Sequence, residues 1–159
     1  MREEWADWDL DWDDLRVEVK TTGIVQAWEP RPGGRSPQKF TGLRGRRYDD
    51  ASGQRSLLPE FKAHICVFCA QTTEDKRTYD LTDPEQWEFW VMTVDEVAQL
   101  NQGSIRLGRL NSLGVDGCKG WADLGEVLSR VRGRLSQSDS VISPSSPPRP
   151  SSRGGSAQE

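Results

Sequence analysis

Residues 15–20 read Leu15-Arg16-Val17-Glu18-Val19-Lys20. Apolar and charged side chains alternate with a period of two. Leu15, Val17 and Val19 therefore share one face of a strand, and Arg16, Glu18 and Lys20 share the other. Glu18 and Lys20 thus stand side by side, a carboxylate next to an ammonium. Upstream, residues 4–10 read as a preceding strand and residues 11–14 as a turn, so residues 15–21 return antiparallel and close a hairpin. Residues 24–28 extend or follow that strand after Gly23.

Further out, the composition of residues 29–58 shifts to Pro, Gly, Arg, Ser and Gln, the mark of a long loop. Residues 62–70 are the most apolar run and read as a central strand. Residues 87–92 form another, introduced by Asp83-Pro84. Thr93 is placed to cap a short helix, with Glu96 three positions on as the capping-box partner. Residues 104–107 read as a short edge strand. Over residues 121–135, Leu124, Val127, Leu128, Val131 and Leu135 recur at helical spacing. The sum is one mixed α/β (α+β) domain over residues 1–135, a mixed central sheet opened by a hairpin and flanked by helices. From Ser136 the chain is Ser, Pro, Gly and Arg with scarcely an apolar side chain, and residues 136–159 read as a disordered tail.

No apolar run approaches the roughly 20 residues of a membrane span, and the first residues lack the apolar stretch of a signal peptide. The expectation is a cytoplasmic protein with no membrane partner. Cys66 and Cys69 have C-x-x-C spacing, but on a strand residues three apart face opposite sides, so they read as core thiols and not as a metal pair. Seven tryptophans are enough to pack a sheet face or to stack on bases, and packing is the commoner use.

The net charge of −4 argues against a general polyanion binder, yet the charge is segregated. Residues 1–18 hold eight acids against two arginines, whereas residues 31–47 hold Arg31, Arg35, Lys39, Arg44, Arg46 and Arg47 with no acid. Carboxylates hold cations and guanidinium groups hold phosphates, a division of labour that suits a metal-dependent nuclease. Mg²⁺ takes oxygen ligands, often one or two carboxylates plus waters and phosphate oxygens. Asp9, opposite the Glu18 region across the hairpin, and Glu18 are the candidate ligands, with the Val19 carbonyl as a further one. Asp7, Asp11, Asp13 and Asp14 compete with Asp9 for this role. Lys20 is placed to orient water or steady developing charge, and the Gln26 amide to hold a water or a phosphate.

The order Trp8-Asp9-Leu10, then Val17-Glu18-Val19-Lys20, then Gln26-Ala27-Trp28, resembles the PD-(D/E)xK superfamily of restriction-endonuclease-like nucleases. Val67-Phe68, Gln86-Trp87-Glu88-Phe89 and Ser104-Ile105-Arg106-Leu107 extend the likeness to an uncharacterised bacterial branch of it. The resemblance implies a restriction-endonuclease-like sheet and a Mg²⁺ (or Mn²⁺) site at Asp9 and Glu18. It also implies Lys20 as the catalytic cation and DNA hydrolysis leaving a 5′-phosphate. Trp8 stands where the proline of the motif name would be. The superfamily core has a helix before the hairpin, and only seven residues precede Trp8, so the expectation is a chain in which that helix is lacking or truncated. A catalytically inactive nuclease-fold module that binds nucleic acid or a protein partner is the alternative reading. A homodimer or a partner subunit is left open.

Overall fold

A computed structural model describes residues 8–25, 37–44, 48–49, 54–55 and 61–140. Strands β1 (Leu10–Trp12) and β2 (Leu15–Gly23) form the opening hairpin. Next come three short strands: β3 (Lys39–Thr41), β4 (Tyr48–Asp49) and β5 (Gln54–Arg55). Strand β6 (Ile65–Gln71) is followed by a 3₁₀ turn at Pro84–Gln86, β7 (Trp87–Thr93) and helix α1 (Val94–Gln99). Strand β8 (Ser104–Arg106), helix α2 (Leu107–Ser112), β9 (Gly117–Lys119) and helix α3 (Leu124–Ser140) complete the order. Among the described residues no helix is long and apolar enough to cross a membrane.

The main sheet has the order β1-β2-β6-β7-β9 and is mixed: β2 and β6 run parallel, and every other pair is antiparallel. β6 lies at its centre with all seven residues buried, because both of its faces are covered, and so it reads as an unbroken apolar run. Val17, Ile65, Val67, Phe89 and Val91 face α3, where they pack on Val127 and Val131. Toward β1 that face keeps an apolar groove of about 380 Å³, lined among others by Leu10, Trp12, Val19, Trp121 and Leu128. The opposite face carries Cys66, Phe68, Ala70, Trp90 and Met92 beneath the β3–β8 pair, α1 and α2. Cys66 and Cys69 fall on opposite faces, as strand alternation requires.

Thr93 accepts from the Glu96 amide while Glu96 Oε2 accepts from the Thr93 amide at 2.8 Å, the reciprocal cap expected from their spacing. Trp90 is buried in the sheet, and half-buried Trp87 donates its indole N–H to the Leu81 carbonyl at 3.1 Å.

Several sequence expectations are corrected. Asp11 and Trp12 belong to β1 and not to the turn: Trp12 pairs directly with Leu15 across Asp13-Asp14. Asp13 adopts a left-handed φ of 52°, which a short polar side chain tolerates. Residues 29–58 are not one loop. β3 exists because Phe40, fully buried, packs edge-on against Phe68 at 5.1 Å between centroids, a burial worth about 2–3 kcal/mol. One aromatic between Lys39 and Thr41 is too short a pattern to read as a strand, and its hydrogen-bonding partner lies far away in sequence. That partner is β8, so β8 joins β3 and not the main sheet, whose edge is the unanticipated β9. Leu107 already belongs to α2. α3 continues to Ser140, past the last apolar position at Leu135, since extending a nucleated helix fixes one residue per hydrogen bond gained. The expected strand residues 4–7, Trp5, Trp28 and tail residues 141–159 lie outside the described residues.

Candidate active site

Asp9 precedes β1, and its backbone N–H donates to the Val17 carbonyl at 2.9 Å. Its carboxylate turns onto the neighbouring strand, where Oδ2 accepts from the Val19 amide at 2.7 Å. Of the competing acids, Asp7 lies outside the described residues and the other three are held elsewhere. Asp11 Oδ1 accepts from the Trp8 indole at 2.9 Å, while Asp13 and Asp14 accept from Arg132 of α3 at 2.9 and 2.7 Å. Among the described residues the hairpin register thus brings one acid of this cluster, Asp9, to the strand edge beside Glu18.

On β2, Glu18 and Lys20 share the face opposite α3 and are joined by an ion pair between Lys20 Nζ and Glu18 Oε1. Their side chains are 23% and 21% exposed, so the pair is mostly sheltered from water, which strengthens it relative to a surface pair. Cys66 is the β6 neighbour of Glu18 and Phe68 that of Lys20. Burial pushes the Cys66 thiol up to about 12, with nearby Lys20 drawing it down and Glu18 raising it. A buried thiol of that kind is protonated and inert at neutral pH.

The Val19 carbonyl is oriented by the same register. Val17 O accepts from Asp9 and Val19 N donates to Asp9, whereas Arg16 O accepts from the His64 amide on the β6 side at 2.8 Å. Odd residues of β2 therefore turn their backbone groups to the Asp9 edge, and the Val19 carbonyl faces it too. His64, the only histidine, holds the start of this pairing: its Nδ1 accepts from the Arg16 amide at 3.0 Å.

Asp9, held on the Val19 amide, the adjacent residue Glu18 and the Val19 carbonyl offer oxygen donors of the kind a small divalent cation prefers. Among the described residues no three acidic, histidine or cysteine side chains form a metal cage. Mg²⁺ does not need one, because it keeps several waters and binds through one or two carboxylates. The donor set fits Mg²⁺ and is unsuited to zinc, which favours nitrogen and sulfur.

Of the other expected residues, Lys39 is exposed on β3, and its amide donates to Thr22 Oγ1 at 3.3 Å. Exposed Arg44 donates from Nη2 to the Asn101 carbonyl at 3.0 Å, just beyond α1. Gln26, Arg31, Arg35, Arg46 and Arg47 lie outside the described residues. Sequence reasoning missed Gly42, which stands against the Lys20 ammonium: a Cβ there would lie 3.4 Å from Nζ. In a glycine- and arginine-rich stretch nothing distinguishes it from its neighbours. Compared with protein-family models, curated proteins and solved structures, the chain matches none.

Proposed function

We propose that the protein is a Mg²⁺-dependent (or Mn²⁺-dependent) deoxyribonuclease of the PD-(D/E)xK kind, with a restriction-endonuclease-like core. One observation carries the reading. The Asp9 carboxylate is anchored on the Val19 amide at the edge of the strand whose next and previous residues, Lys20 and Glu18, form a sheltered ion pair. Asp9 and Glu18, with the Val19 carbonyl, would hold the cation. Lys20 engages Glu18 Oε1 and the Val19 amide engages Asp9 Oδ2, so Oε2 and Oδ1 are the oxygens that would face it. The cation supplies charge neutralisation at the phosphate and a more acidic water. Lys20 would release Glu18 as the cation enters and turn to the attacking water or the developing negative charge. Water adds to phosphorus as the bond to the 3′ oxygen breaks, leaving a 5′-phosphate and a 3′-hydroxyl. The basic residues Arg31, Arg35, Lys39, Arg44, Arg46 and Arg47 would steady the DNA backbone, and Gln26 would support the water or phosphate.

The Glu18–Lys20 ion pair also favours a second reading, an inert nuclease-fold module in which Lys20 permanently neutralises Glu18. Nicking of supercoiled plasmid separates the two. The nuclease nicks with Mg²⁺ or Mn²⁺, stops in EDTA, and loses at least about a hundredfold in rate in Lys20→Ala, the scale of one electrostatic transition-state contact. Absence of metal-dependent nicking, or nicking undiminished in Lys20→Ala, rejects the nuclease assignment.

A further inference from the structure

The β3–β8 pair places Lys39 directly opposite Arg106, two cations facing each other across a two-stranded sheet. Like charges in that position repel and destabilise the pair. The residues between the strands explain why they pair at all: Phe40 and Ile105, also opposite each other, are both buried beneath. Lys39 and Arg106 are exposed, and Arg109, three residues on in α2, joins them. Together with Gln102, Ser104 and Ile105 these three cations line a cavity of about 380 Å³ with no acid in its wall among the described residues.

Four other described arginines differ in this respect, whereas Arg16 meets the His64 ring and Arg44 the Asn101 carbonyl. Arg77, Arg130, Arg132 and Arg134 each hold a carboxylate. Among the described residues no carboxylate lies within ion-pair distance of Lys39, Arg106 or Arg109; Arg109 has a 3.4 Å contact with the Ser112 hydroxyl. The chain carries more acids than bases, so three clustered cations without an acid are a local departure from its overall charge. β3 also starts against Thr22, two residues beyond Lys20 on the same face of β2, and passes the Lys20 ammonium at Gly42. The cavity is carried by the strand that borders the Glu18–Lys20 pair.

We propose that the Lys39–Arg106–Arg109 cavity is a phosphate subsite that holds the DNA backbone beside the Glu18–Lys20 pair. It takes its ligand class from the phosphodiester reading above and adds Arg106 and Arg109, which lie outside the basic segment evident in the sequence. A phosphate there removes the repulsion between Lys39 and Arg106 and gives both guanidinium groups an anion suited to two-pronged hydrogen bonding.

The test is anisotropy of a labelled DNA duplex titrated with the full chain in EDTA at several salt concentrations. The subsite requires that Arg106→Ala/Arg109→Ala weaken binding about tenfold or more near 0.1 M salt. The slope of log affinity against log salt must also become shallower by about 2, since each phosphate contact contributes about 0.9. Arg106→Lys/Arg109→Lys keeps the slope, and Arg77→Ala, which removes an arginine already held by Asp75, changes nothing. Both pocket arginines are exposed, so the melting temperature stays near that of the native chain and verifies folding. Affinity and slope unchanged in the double alanine variant overturn the subsite, even if the native protein nicks plasmid with metal. Loss of binding in that variant upholds it even if no metal supports nicking, in which case only the nuclease reading falls.

Discussion

Gly42 holds φ at +75°, a conformation in which a Cβ meets the following carbonyl. A methyl group there would also press on the Lys20 ammonium from 3.4 Å. Gly42→Ala thus has two costs, about 1–2 kcal/mol of backbone strain and a disturbed lysine. A double-mutant cycle in urea separates them. The strain persists in a Lys20→Ala background and the contact does not, so the substitution is expected to cost less there. Equal costs in both backgrounds would mean that Gly42 does not position Lys20. Asp9 teaches the same lesson from the opposite side. Five acids crowd positions 7–14, and composition cannot rank them. Register ranks the four that the structure describes, because Asp11, Asp13 and Asp14 are each bound to Trp8 or Arg132, and Asp9 meets Val19.

At the scale of elements, α3 is fastened to the sheet edge through Asp116, which precedes β9 and accepts from Arg134 and, at 3.0 Å, from Arg130. The hydrogen bond from Arg134, with burial opposing and Arg130 adding, holds the Asp116 carboxyl below its ordinary 3.8. A depressed native pKa stabilises the fold fully above the unfolded value and ceases to do so as pH falls through the native one. Asp116→Asn should therefore lower unfolding free energy by about 1 kcal/mol at neutral pH. The difference from the native chain should shrink as pH falls below 3.8 and vanish once the native carboxyl is itself protonated. A constant difference down to the lowest pH would rule out the charge as its source. The elements that were legible in sequence, β2, β6, β7, α1 and α3, carry periodic patterns or a cap that depend only on nearby residues. Those that were not include β4, β5 and α2, and also β3 and β9, which span three residues each and exist through distant partners: Phe40 on Phe68, and Cys118 opposite Phe89. The hairpin that carries Glu18 and Lys20 was legible because β2 alternates between apolar and charged side chains; the Gly42 wall and the Arg106–Arg109 pocket were not, because they arise only when β3 meets β8.

For the whole molecule, Cys66 and Cys69 report on the two cores separately, one beneath β3–β8 and one beneath α3. Burial pushes both thiols up to about 12 from 9.0. An unfolded chain gives up these protons above pH 9 while the native one keeps them until about 12. Stability is therefore complete below pH 9 and falls above it, by up to about 1.4 kcal/mol per pH unit for each thiol. Urea unfolding across pH 8–11 measures this. A thiol reagent at pH 8 adds a second readout: if the sheet opens as one body, Cys66 and Cys69 are modified at the same rate, and that rate tracks global unfolding. Faster labelling of Cys66 would show that the β3–β8 side opens alone.

The pairing of Lys39 with Arg106 also sets an order of events during synthesis. The hairpin bearing Asp9, Glu18 and Lys20 leaves the ribosome early, but β3 has no strand to lie against until β8 emerges. For that interval a nascent chain carries its acidic edge without the lysine's glycine wall or the basic cavity. Any function that needs both the Asp9 edge and the Lys39–Arg106–Arg109 cavity thus waits until β8 has emerged to pair with β3.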